Sequence, residues 1–273
     1  MSLKNLINEI NKKQSFLCIG LDTDINKIPS FLLENDDPIF SFNRSIIDKT
    51  HKYCIAYKLN TAFYESNGAS GWVSMNKTID YIKQNYPRIF TIADAKRGDI
   101  GNTSKMYAEA FFRKMNFDSI TINPYMGADS VKPFLEFENK FSILLGLTSN
   151  IGAEDLQLKT TDNDYIFSEM INSSKSWGDS SNMMYVVGAT KADYIKKIRN
   201  IIPNHFLLIP GVGAQGGNLD EICKIALNDS VGIIINSSRS IIYASNDNLF
   251  ADSAAREAIK LQSEMKEILS SRN

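Results

Sequence analysis

The sequence predicts an α/β fold, a (β/α)8 TIM barrel, from three observations. Eight short apolar runs recur along the 273 residues, helix-patterned segments separate most of them, and nearly every run ends in a polar residue or a glycine. Near-continuous apolar strands alternating with amphipathic helices imply a parallel sheet covered by helices. Eight such units in about 250 residues make the tally of a closed barrel. A doubly wound open sheet is the alternative, because a strand count is easily off by one.

The elements follow in order. Leu3, Leu6, Ile7 and Ile10, set among Lys and Asn, have helical spacing and lack a signal-peptide apolar core. The first run, 16–21, opens onto Asp22 and Asp24; the second, 53–59, carries Lys58 and ends at Asn60. The third, 89–93, runs straight into Asp94, Lys96 and Asp99. The fourth and fifth, 119–122 and 141–147, end in Asn123-Pro124-Tyr125 and Thr148-Ser149-Asn150. The sixth, 183–187, ends in Gly188-Ala189-Thr190, and the seventh, 206–209, in a glycine-rich string from Pro210 to Gly217. The eighth, 231–235, ends in Asn236-Ser237-Ser238-Arg239. Helical patterns fill 39–52, 75–85, 103–115, 130–137, 191–201 and 219–227. One connection is long: 149–182 is rich in Asn, Ser, Asp and Thr, with a helical stretch around 165–177. It reads as an excursion at the barrel mouth within one domain spanning 1–273.

Composition narrows the function. Lys and Arg total 30 against 31 Asp and Glu, a net charge of −1 that argues against a nucleic-acid polyanion as partner. Cys18, Cys54 and Cys223 stand in apolar contexts without C-x-x-C spacing and read as buried thiols of a reducing compartment. His51 and His205 are too few for a histidine-rich metal site. No apolar stretch approaches a membrane span, so a cytoplasmic protein is expected.

In parallel barrels the site forms at the carboxyl ends of the strands. On an extended backbone Ile92, Asp94 and Lys96 share a face, and Gly98 would let the chain bring Asp99 back over the same spot. Three charges at the mouth of a core must satisfy one another, so a structural ion-pair network is the ordinary reading of D-x-K-x-x-D alone. Lys58 is either a strand end reaching solvent or the completion of a Lys–Asp–Lys–Asp array. Gly211, Gly213, Gly216 and Gly217 free backbone N–H groups for an anion just before a helix, and Arg239 adds a fork-shaped cation. A glycine string alone is as often a tight turn; beside Arg239 in a barrel it reads as a phosphate cradle.

These residues resemble a known family. Asp94-Ala-Lys-Arg-Gly-Asp-Ile-Gly-Asn-Thr103 is similar to the signature of orotidine 5′-phosphate decarboxylases, as are Ala-Tyr-Lys58-Leu-Asn, Thr-Ser149-Asn, Pro-Gly-Val-Gly-Ala-Gln215-Gly-Gly and Ser-Ser-Arg239-Ser. The long segment after Ser149 resembles the bacterial subgroup with chains of this size, although Ile151 stands where family members often have Pro. The resemblance implies a homodimeric barrel that converts orotidine 5′-phosphate to UMP and CO2 without metal or cofactor. It assigns Lys58, Asp94, Lys96 and Asp99 to the catalytic array, with Lys96 as proton donor. Asp22 and Lys58 would hold the ribose, Ser149 the pyrimidine edge, and Gln215 and Arg239 the phosphate. Asp99, Ile100 and Thr103 would reach into the partner subunit's site. The runner-up is a metal-dependent sugar-phosphate lyase such as a 3-keto-gulonate-6-phosphate decarboxylase, whose acidic residue in place of Lys58 speaks against it. A phosphosugar-binding barrel without chemistry is the non-enzymatic alternative.

Overall fold

The computed structural model describes residues 1–189, 192–211 and 218–272, the side chain of Ala192 excepted. Eight strands close a parallel barrel in sequence order: β1 (Leu17–Gly20), β2 (Ala56–Asn60), β3 (Phe90–Arg97), β4 (Ser119–Ile122), β5 (Phe141–Leu147), β6 (Met183–Val187), β7 (Phe206–Pro210) and β8 (Ile233–Ser237), with β8 pairing back onto β1. Their residues are almost all buried because the barrel interior covers one face and helices the other. Phe90 and Phe141 meet edge to face at 5.7 Å within this core.

The helices are α1 (Leu3–Lys13), α2 (Pro38–Thr50), α3 (Thr61–Glu65), α4 (Gly68–Asn85), α5 (Gly101–Ala108), α6 (Ala128–Leu135), α7 (Ile166–Ser174), α8 (Ala192–Ile201), α9 (Leu219–Ala226), α10 (Arg239–Ile242) and α11 (Phe250–Ser270). Local chemistry sets several of their starts. The Ser2 hydroxyl accepts the Asn5 N–H to cap α1, and Asp37 caps α2 through the Phe40 N–H at 3.0 Å with Pro38 at the first helical position. Asp37 also accepts from Ser74 and Lys77, which ties α2 to α4. The long α11 lies outside the helices read from the sequence; its Phe250 stacks on Phe42 of α2 at 5.2 Å.

Several strand boundaries differ from the apolar runs, three of them for an identifiable local reason. Residues 53–55 belong to the turn after α2, where the Tyr53 N–H donates to the Thr50 carbonyl, so β2 begins at Ala56. Val231 and Gly232 take φ of 71° and 66°, which ends the turn there and starts β8 at Ile233. β3 continues through Arg97, past the end of its apolar run, because the charges there are paired within the barrel. The excursion holds a single-turn helix at Ile151–Asp155 and α7, and Gln157 pins it to the rim with hydrogen bonds to the Thr148 N–H (2.8 Å) and hydroxyl (2.7 Å).

Candidate active site

Strand register places the first charges side by side. Gly20 pairs with Lys58 between β1 and β2, and Asn60 pairs with Asp94 between β2 and β3. The Lys58 ammonium lies 3.0 Å from Asp94 Oδ2 and 3.3 Å from Asp22 Oδ1. Asp94 Oδ1 accepts Lys96 Nζ at 2.7 Å, so one carboxylate bridges two ammonium groups. Lys58 does not reach solvent: its side chain is 5 % exposed, whereas that of Lys96 is 48 % exposed. Lys58 is therefore the fixed cation of the array and Lys96 the one open to a ligand.

The electrostatics follow from this geometry. Burial opposes charge on Lys58, but Asp22 and Asp94 more than offset it and hold the ammonium well above the usual lysine range. Burial likewise opposes charge on Asp94, and Lys58 and Lys96 override it, keeping the carboxyl well below the usual carboxylate range. Both groups are thus ionised throughout the neutral range. Asp22 is held by the Ser238 hydroxyl at 2.7 Å, and the Tyr243 hydroxyl donates to the Asp22 carbonyl at 3.0 Å. Space for that arrangement depends on Gly20, because a Cβ there would lie 1.8 Å from Ser238 Oγ.

Lys96 departs from strand alternation. Its φ is +48°, and the β3–β4 register slips between Ala93 and Arg97. The bulge still returns its ammonium to Asp94. Beyond it, Arg97 pairs with Glu65 and lies over the Tyr107 and Phe111 rings, fixing where the chain goes next.

A cavity of about 570 Å³ opens above the array. Asp22, Lys58, Asp94 and Lys96 line one side, and Leu145, Val186 and Leu208 supply an apolar wall opposite. Ser149, Gly211 and Arg239 border the same space. Ser149 needs its neighbour to be glycine, since a Cβ at Gly188 would come 2.8 Å from the Ser149 backbone nitrogen and Cα. Gly213, Gln215, Gly216 and Gly217 lie outside the described residues.

Asp99 requires a correction. Within one chain it does not fold back over Asp94 and Lys96, and no ion pair joins it to a cation among the described residues. Its Oδ1 instead accepts the Ile100 N–H at 2.7 Å. The reason lies at Gly98, packed so closely on the Asn123 carbonyl that a Cβ would sit 2.8 Å from it; the chain is held along β4 and then released into α5. Asp99, Ile100 and Thr103 consequently lie away from the residues bordering this cavity, with Ile100 61 % exposed. Sequence reasoning missed Thr121 and left Asn236 and Ser238, named at the end of the eighth run, without a role. Each is a small polar residue near a strand's carboxyl end, and that position was the available signal.

A closed parallel barrel with a paired cation–carboxylate array and an arginine at its mouth defines a barrel enzyme for a small anionic substrate. Comparison with known proteins makes the class specific. The profile of the orotidine 5′-phosphate decarboxylase / HUMPS family matches residues 15–253. The orotidine 5′-phosphate decarboxylase of Flavobacterium johnsoniae is 57 % identical over all of both chains, and that of Christiangramia forsetii is 58 % identical over 97 % of each. Among solved structures, the OMP decarboxylase of Leishmania donovani superposes with a TM-score of 0.82 at 32 % identity, covering 97 % of this chain and 99 % of that one. The chain belongs to the orotidine 5′-phosphate decarboxylase / HUMPS family.

Proposed function

We infer that this enzyme decarboxylates orotidine 5′-phosphate to UMP, the last step of de novo pyrimidine synthesis. The observation that carries the reading is the array at the barrel mouth, in which buried Lys58 and Asp94 fix the open ammonium of Lys96. An acidic residue at position 58 would suit a metal-dependent relative; here a buried lysine takes that place between Asp22 and Asp94.

Loss of CO2 from C6 of the pyrimidine leaves an electron pair in the ring plane, where the π system cannot absorb it. Preorganised charge lowers such a barrier without reorganising during the reaction. Lys96 supplies that charge beside C6 and then its proton, while Asp94 stands near the departing carboxylate. Asp22 and Lys58 hold the ribose, Ser149 the pyrimidine edge, and Arg239, with Gln215 and the glycine string, the phosphate. Binding energy from the phosphate, remote from C6, stabilises the transition state rather than the substrate alone.

The purified protein in excess chelator is expected to lower the ultraviolet absorbance of orotidine 5′-phosphate as UMP forms. No change, or a change that requires added Mg2+, would contradict this reading.

The second subunit enters through Asp99, Ile100 and Thr103. Ile100, Met106, Tyr125 and Met126 are exposed near this rim, the composition of a surface another chain covers. In the homodimer Asp99 of one chain completes the array of the other. Mixing inactive Asp99→Ala and Lys96→Ala subunits should then restore activity, because one of the two sites in each heterodimer keeps both residues. Proven heterodimers that stay inactive would place Asp99 outside the shared site.

A further inference from the structure

Thr121 of β4 closes a ring with the two central residues of the array. The Lys96 backbone N–H donates to Thr121 Oγ1 at 2.9 Å, and that hydroxyl donates onward to Asp94 Oδ1 at 3.0 Å. The same Oδ1 accepts the Lys96 ammonium at 2.7 Å. Lys96 is therefore held at both ends, its amide through Thr121 and its side chain through Asp94. The register slip between Ala93 and Arg97 takes the Lys96 amide off the regular β3–β4 ladder, and the Thr121 hydroxyl is the acceptor that replaces the lost partner. A non-glycine residue at φ +48° is strained and persists only where its surroundings fix it. The Thr121 side chain is itself buried, with no other described hydrogen-bond partner than these two.

We propose that Thr121 is a positioning residue for the decarboxylation, holding the Lys96 backbone in its bulged conformation and aligning Asp94 so that the Lys96 ammonium is presented to the reacting carbon. The proposal rests on the function inferred above and adds a residue that touches no reacting atom. Both of its hydrogen bonds are needed: the acceptor role fixes the bulge, and the donor role orients the carboxylate.

The test compares Thr121→Val, which keeps shape and strand preference but removes both bonds, with Thr121→Ser, which keeps the hydroxyl. Wild-type turnover of orotidine 5′-phosphate is measured alongside, so that failure of the functional reading shows as an inactive wild type. In Thr121→Val, kcat should fall between about tenfold and a hundredfold, the range set by a lost hydrogen bond to a charged group. KM and the UMP dissociation constant should stay within about threefold, because the groups that bind ribose and phosphate are untouched. Thr121→Ser should restore kcat to within about threefold of wild type, as it retains the same donor and acceptor. A merely structural role would lower UMP affinity and thermal stability together with kcat. That result, an undiminished kcat in Thr121→Val, a Val variant that does not fold, or a Ser variant as slow as Val would each overturn the proposal.

Discussion

Lys96→Ala is expected to lower kcat by about four orders of magnitude or more, since in the proposed mechanism the Lys96 ammonium, paired with Asp94, is both the proton donor and the cation facing the developing charge. Affinity for UMP should survive, because Asp22, Lys58, Ser149 and Arg239 remain around the same cavity. The fold should survive as well: the Lys96 side chain is half exposed, and Asp94 keeps Lys58 and Thr121 as partners. Steady-state assay with UMP titration separates the two effects. A variant that retains kcat within about tenfold of wild type would remove Lys96 from the chemistry. One that loses UMP binding in proportion to kcat would make it a ligand-holding residue instead.

Arg199→Met is the complementary prediction, large in stability and small in chemistry. Arg199, at the amino end of the barrel, is 9 % exposed and has no carboxylate partner among the described residues. Its guanidinium instead donates to the carbonyls of Ala226, Ile202, Pro203, His205 and Gly232, with distances from 2.7 to 3.2 Å. One planar fork thereby joins chain ends after α8 and α9 and before β7 and β8, and it is the one described donor to the Ala226, Ile202 and His205 carbonyls. Burial draws its pKa down to about 10, so it remains charged at neutral pH. Methionine fills similar volume and leaves the Ala226, Ile202 and His205 carbonyls without a donor, while Pro203 keeps the Asn228 side-chain amide and Gly232 the Leu207 N–H, at a cost of roughly 3 to 5 kcal/mol. In a chain of this size that is on the order of 10 °C in Tm. Thermal unfolding at neutral pH checks it, with kcat of the folded variant unchanged because the site lies at the opposite end. A loss below about 1 kcal/mol would mean that relaxation or water satisfies the carbonyls instead.

The barrel was legible because its strands are buried on two faces and appear as uninterrupted apolar runs whatever their partners. The long α11 escaped notice because it follows the last strand, where no alternation with a further strand marks it. Lys58, Asp94 and Lys96 were legible for a different reason. Charges at the carboxyl ends of neighbouring strands must meet in a closed parallel barrel, and the β2–β3 register brings them together. For Asp99 the sequence suggests a turn at Gly98 that brings it back over Asp94. The contact of Gly98 with Asn123 prevents that reversal, and such a contact has no sequence signature. The bulge at Lys96 was equally hidden, since an apolar run gives no warning that a lysine will take a positive φ, and Thr121 matters only because of that bulge.

A crystal structure with UMP bound would show where the Lys96 ammonium stands against the pyrimidine. The Lys96 ammonium should lie within about 3 to 3.5 Å of C6, the contact distance of groups poised to react, while still bonded to Asp94. An ammonium turned away from C6, with the pyrimidine seated against another part of the cavity, would contradict it.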